Sequence, residues 1–142
     1  MATTQSEDPN ERVDHPRHYN QHPSGIECIQ VIEHLPTNIG NAVKYLWRCG
    51  LKTTETPLRD LQSARWYTER EIWRIKQFGL EDEPWMTAKI VFKWRKITSQ
   101  VVSKDDGELG EYLRALMGWR SDGMLEAIDR AIDNLKEPAD AP

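Results

Sequence analysis

The stretch TNIGNAVKYLWRCG, Thr37 to Gly50, is the clearest helix in the chain. Thr37 or Asn38 can cap its free N–H groups with a side-chain oxygen, and Gly50 supplies a stop. Ile39, Val43 and Leu46 recur at helical spacing, and Ala42 and Trp47 widen that apolar stripe. On another face lie Asn41, Lys44, Tyr45 and Arg48, spaced so that they occupy adjacent turns. The stripe needs partner helices, and the polar face projects four ligand-capable side chains together.

Working outward, Thr56-Pro57 opens a third helix and Gly79 closes it. Leu58, Leu61, Thr68, Ile72 and Ile75 mark its expected core stripe, and Trp66 and Trp73, seven apart, are roughly aligned with each other along the helix. Asp60, Ala64, Tyr67 and Glu71 share a separate face. Upstream, a first helix is expected from Ser24 or Gly25, with Ile26, Ile29, Val31 and Ile32 inward, ending before Pro36. Ahead of it, residues 13–25 form a His/Pro-rich ordered loop, because Pro16 and Pro23 keep their predecessors out of the helical region. Residues 1–12 are polar and expected to be disordered.

Past the acidic break at Glu81 to Pro84, WMTAKIVFKWRKITSQVV fits either periodicity. Its length and lack of turn signals favour helix, with Ile90, Trp94, Ile97 and Val101 inward. Asp105-Asp106-Gly107 makes a turn. Two amphipathic helices follow as a hairpin: Leu109, Tyr112, Leu113 and Leu116, then Leu125, Ile128, Ile132 and Leu135, with Ser121-Asp122-Gly123 between them. The tail after residue 137 frays. The expected fold is all-α, a compact domain of about five or six helices. Residues 13–79 hold the candidate binding region, and residues 80–137 are a helical region suited to oligomerisation.

A chain of 142 residues, 38% apolar and 30% charged, suits one domain. No secretory signal or membrane-length apolar run is present. Cys28 and Cys49 fit neither a disulfide framework nor a zinc spacing, which indicates a reducing cytosol. Charge is uneven: residues 38–80 carry eight Lys/Arg against four Asp/Glu, whereas residues 105–142 carry four against ten. A basic centre can hold phosphate, although such charges usually solvate helix faces. The net charge of −4 and the lack of a recognition helix disfavour nucleic acid.

No phosphate-cradling glycine loop of either common kind occurs. His15, His18 and His22 cluster beside Asp14, but a zinc site normally takes three or four ligands and favours Cys among them, so no metal site is assigned. Asp14, Asp60 and Glu71 are the carboxylates available to magnesium. Donors for phosphoryl oxygens are His15, Arg17, His18 and Tyr19 in the loop, Lys44, Tyr45 and Arg48 in the second helix, and Arg65 and Arg70 in the third. Trp47 and Trp66 can stack a base, although aromatics at helical spacing are usually core. Both cysteines are taken as structural. Six tryptophans and several uncovered apolar faces point to a homo-oligomer.

In order and spacing, VDHPRHYN, GIECIQVIEHL, NIGNAVKYLWRCGLK and PLRDLQSARWYTEREI resemble a family of small bacteriophage proteins. Many members have no assigned function; others are called nucleotide kinases. They are named so by similarity to a coliphage enzyme that phosphorylates deoxynucleoside monophosphates without a Walker A motif and assembles into oligomers. The resemblance covers Val13 to about Ile75 and implies a nucleotide-handling protein of the infected host cytoplasm, using ATP or another nucleoside triphosphate and magnesium. Carried over, His15, His18 and Tyr19 come from the opening motif. Asn41, Lys44, Tyr45 and Arg48 come from the second helix, and Asp60, Trp66 and Tyr67 from the third. On this reading His15, His18, Lys44, Arg48 and Asp60 are catalytic, and Arg17, Tyr19, Asn41, Tyr45, Trp66, Tyr67 and Arg70 bind nucleotide. The alternatives are an oligomeric binder of nucleotides or cyclic nucleotide signals, and a helical nucleoside triphosphate pyrophosphohydrolase.

Overall fold

The computed structural model describes residues 22–51 and 56–136, without the side chains of residues 50 and 51. Among the described residues there are six helices and no strand. They are α1 (Cys28–Ile32), α2 (Thr37–Leu51), α3 (Pro57–Gln77), α4 (Ala88–Val102), α5 (Glu108–Met117) and α6 (Ser121–Lys136). The all-α expectation holds, and the ambiguous stretch before Asp105 is helical. Thr87 caps α4, its side-chain oxygen accepting from the Ile90 N–H.

Local chemistry sets most boundaries. Gly79, at φ +64, ends α3 after the cap at Phe78, and the Leu80 N–H folds back to the Ile75 carbonyl at 2.9 Å. That left-handed residue and back-bond stop the helix and satisfy a terminal carbonyl. Two boundaries differ from expectation. The first helix starts at Cys28, because Gly25 sits at φ +79 in a turn that Ser24 closes with its side chain on the Ile26 N–H. Glu27 then caps α1, and the Gln30 side chain accepts the Glu27 N–H. The second difference is the α5–α6 break, which falls at Gly118 to Arg120. Ser121, Asp122 and Gly123 form the first turn of α6 instead. Gly123 lies there for packing, since an added Cβ would sit 3.1 Å from the Ala115 Cβ.

Helices α2 and α3 pack antiparallel, as their cross-contacts show: residue 38 meets 71, and residue 48 meets 60. Helix α6 lies on α3, where Arg65 pairs with Asp129 at 2.7 Å. Helix α5 lies on α2 and pairs with α6, where Arg130 donates to Glu111. Helix α1 bridges α2 and α4. The α2 stripe is as expected: Ile39, Ala42, Val43, Leu46 and Trp47 are fully buried. They join Trp94, Tyr112, Leu113 and Ile128 in one core that runs through both halves of the chain. The Thr68 hydroxyl donates to the Ala64 carbonyl and accepts from the buried Tyr112 hydroxyl at 2.6 Å.

Helix α3 buries a different face from the one expected. Leu61 and Thr68 are inside, but Leu58 is exposed and Ile72 and Ile75 are half-buried. The polar face carrying Asp60, Ala64 and Glu71 is buried instead, because α2 supplies partners for its carboxylates. Likewise α6 buries Met124, Ala127 and Ile128, leaving Leu125 half-buried and Leu135 exposed.

Candidate functional site

Antiparallel packing turns two sequence patterns into one seam. Along α2, Asn38, Tyr45 and Arg48 face Glu71, Tyr67 and Asp60 of α3. The Asn38 amide donates to Glu71 Oε1 at 3.1 Å. Tyr45 and Tyr67 stack with ring centres 6.1 Å apart and planes 14° from parallel. Arg48 Nε lies 3.7 Å from Asp60 Oδ2, close enough for ion pairing and too far for a good hydrogen bond.

Asp60 is the unusual member. It is 3% exposed, and Oδ2 is buried without a hydrogen-bond partner. Leaving a buried acceptor unmet costs about 1–3 kcal/mol, more for a charged group. Arg48 keeps 40% of its side chain exposed, so its guanidinium faces both Asp60 and solvent. Cys49 sits at the same junction. Burial, then the charges of Glu108 and Asp60, push its thiol up to about 11. Burial pushes Cys28 up to about 12, against the opposing charge of Lys44. Both cysteines are therefore poor nucleophiles.

At the far end of the seam Glu71 is fully engaged. Arg74 Nε and Nη2 each donate to one carboxylate oxygen at 2.8 Å, in addition to the Asn38 bond. Burial raises its carboxyl, but the bonds from Arg74 and Asn38 and the Arg74 charge outweigh that and hold it below the usual range. Asp60 and Glu71 are eleven residues apart on one helix, roughly 16 Å along its axis. They cannot share a cation, and among the described residues no group of three His, Cys, Asp or Glu side chains is arranged to hold a metal. The α3 carboxylates that a pyrophosphohydrolase would use, Asp60, Glu69 and Glu71, therefore do not converge, and Glu69 is paired with Arg65 at 2.6 Å.

Tyr45, Arg48, Asp60 and Tyr67 thus assemble on the seam; helical spacing puts Asn41 on the α2 face of Asn38, Tyr45 and Arg48, with Lys44 on the neighbouring one. Trp66 is 57% exposed and meets Tyr67 edge-on at 5.1 Å, so its ring remains reachable. Arg70 lies on the next face, 4.1 Å above the Trp73 ring. Two expected phosphate or base contacts do not stand. Trp47 is fully buried in the core. Arg65 is held by Glu69 at 2.6 Å and by Asp129 at 2.7 Å. His15, Arg17, His18 and Tyr19, like Asp14, lie outside the described residues.

His22 has a structural duty that its place in the histidine cluster did not signal. Its buried ring lies against Trp47, with centroids 5.3 Å apart. Nδ1 accepts the Ser24 N–H at 3.1 Å, so the neutral ring carries its proton on Nε2, which donates to Asp105 Oδ2 at 2.9 Å. Asp105 Oδ1 accepts from the N–H groups of Gly107 and Gly110, at 2.9 and 3.1 Å, capping α5. An added Cβ at Gly110 would collide with the Asp105 carbonyl oxygen. The clamp ties the end of the His/Pro-rich segment to α5, behind the helix that carries Lys44 and Arg48. Asp105-Asp106-Gly107 signalled the cap, but nothing local signalled a partner 83 residues away.

A family described as protein of unknown function, DUF3310, matches residues 13–69. That span contains the His15 to Tyr67 positions and excludes Arg70, Glu71 and Asp105. No curated protein and no solved structure matches the chain.

Proposed function

We propose that the α2–α3 seam, together with the loop at residues 13–21, binds nucleotide and transfers a phosphoryl group from a nucleoside triphosphate to a deoxynucleoside monophosphate. The observation that carries this reading is the buried, unpartnered Asp60 oxygen beside Arg48. A site for free phosphate alone would gain little from a carboxylate next to its arginine, because like charges repel; the carboxylate suits a ligand that also brings a hydroxyl or a cation. A phosphotransferase uses such a group for positioning and charge balance.

Arg48 neutralises phosphate charge, with Lys44 as a second cation beside it. Tyr45, Tyr67 and the exposed Trp66 offer aromatic surface to the base. Asn41 and Arg70 hydrogen-bond its periphery, and His15, Arg17, His18 and Tyr19 supply further donors to the phosphates. Asp60 accepts from a sugar hydroxyl or, with water and substrate phosphates, holds magnesium; its unmet oxygen suits either partner. Bound there, the ion would supply charge neutralisation at the phosphates. The protein is read as phage-encoded, working in the host cytoplasm; among the described residues no helix is long and apolar enough to cross a membrane. Homo-oligomerisation would cover exposed Trp73, Phe78 and Phe92.

The 40% exposure of the Arg48 side chain favours a second reading, an oligomeric binder that holds nucleotide without turnover. Incubating the purified full chain with each deoxynucleoside monophosphate, ATP and magnesium separates the two. Diphosphate formation supports transfer. Tight binding with ligand recovered unchanged supports the binder. Folded protein that does neither removes the site from the seam.

A further inference from the structure

Beyond the Glu71 end of the seam, far from Arg48 and Asp60, the end of α3, the 78–87 connection and the α5–α6 turn enclose a cleft in two joined compartments of about 120 and 270 Å3. Both are lined by Ile75, Leu80, Trp85 and Trp119. Trp85 is steadied by Trp94, whose buried ring meets it edge-on at 5.6 Å. Trp119 occupies the left-handed region at φ +48, the one non-glycine residue with positive φ among the described residues. A turn at that position is met more easily by Gly or Asn, so the indole is held there against a backbone cost.

Charge decides what such a cleft accepts. Glu81, Asp82 and Glu83 line its outer compartment, and none of them is ion-paired among the described residues. The basic group in its lining, Arg74, is already neutralised by Glu71. Phosphate and carboxylate ligands are therefore repelled, and a neutral aromatic ligand would leave the field unused. Indole faces attract cations within about 6 Å of the ring centre. The volume exceeds that of a water several-fold and accommodates a cationic head with an alkyl stem.

We propose that the Trp85–Trp119 cleft binds an organic ammonium or guanidinium cation, its head among Glu81, Asp82 and Glu83 and its alkyl stem on Ile75 and Leu80. The cation comes either as a free polyamine or as the side chain of an arginine in a polypeptide. The site is independent of the nucleotide reading of the seam.

Calorimetric titration of the full chain tests this, with tryptophan fluorescence as a second readout. The probes are spermidine, N-acetyl-arginine amide and the neutral isostere N-acetyl-citrulline amide. Saturable binding of spermidine alone assigns the free amine, and binding of the arginine amide alone or preferentially assigns the polypeptide source. The citrulline analogue should bind at least about tenfold more weakly than the arginine amide. The variant Glu81→Gln/Asp82→Asn/Glu83→Gln changes only exposed side chains, and it should weaken the preferred cation about tenfold with an unchanged circular dichroism spectrum. Trp85→Ala should weaken binding as well. No saturable binding by either cation at millimolar concentration overturns the proposal. So does equal affinity for the citrulline analogue, or unaltered affinity in the carboxylate variant.

Discussion

Replacing Asp105 with asparagine keeps the shape of the His22 clamp and breaks its donor–acceptor logic. In the native clamp one carboxylate oxygen takes two N–H groups of α5, and the other takes His22 Nε2–H. If the asparagine oxygen keeps the cap, its NH2 points at Nε2–H, donor against donor. Moving the ring proton to Nδ1 lets it donate to the Ser24 hydroxyl oxygen at 2.8 Å, but takes the acceptor away from the Ser24 N–H, 3.1 Å from Nδ1. Either way one donor of the part-buried clamp loses its acceptor, at about 1–3 kcal/mol. The charge assistance is lost too, so Asp105→Asn should cost roughly 2–3 kcal/mol. Asp105→Ala also removes the α5 cap and should cost about 1 kcal/mol more. With a urea slope of about 1–3 kcal/mol/M, the unfolding midpoint should fall by roughly 1 M, read by circular dichroism at constant slope. A cost below about 0.5 kcal/mol would refute the reasoning. So would a cycle of His22→Ala and Asp105→Ala with coupling under about 0.5 kcal/mol.

Other tests address the seam. Asp60→Asn should abolish phosphoryl transfer and change thermal stability little, since it removes a buried charge with an unmet oxygen but also gives up the 3.7 Å pairing with the part-exposed Arg48. A fall in melting temperature would mean that Asp60 is structural. Arg48→Ala and Lys44→Ala should each weaken nucleotide binding about tenfold in calorimetry without unfolding the chain, and unchanged affinity in both would move the site elsewhere. The folded Glu71 carboxyl lies below its ordinary value of 4.5, so it stabilises the fold above that pH and loses this as pH falls further. The stability gap between wild type and Glu71→Gln should therefore shrink as pH drops below 4.5, and a gap that widens contradicts the pairing. With Cys49 near 11 and Cys28 near 12, neither native thiol should react with a disulfide reagent at about pH 8 faster than roughly a hundredth of the unfolded rate.

Much of the helical plan was legible because its signals are local. Ile39, Val43, Leu46 and Trp47 repeat at the helical period, Thr56-Pro57 starts a helix, and Gly79 stops one through its own dihedral preference. Where two local signals competed, position alone did not rank them. Gly25 and Ser24 build a turn instead of the first helix, and Ser121 to Gly123 join α6 because Gly118 to Arg120 break the chain first.

The sequence by itself determined an all-α chain, a wide apolar stripe on α2 and a polar face at residues 41, 44, 45 and 48. Periodicity and capping require only neighbours within a few residues. Tertiary structure decided which α3 face goes inside. The Asp60 and Glu71 face looked like surface, and it is buried because antiparallel α2 brings Arg48 and Asn38 to it. Tertiary structure also removed Trp47 and Arg65 from the ligand set and joined His22 to Asp105. It placed Trp85 beside Trp119 in one cleft as well. Such pairings depend on the register of helices far apart in the chain, and satisfying buried polar groups across that register is a property of the assembled fold.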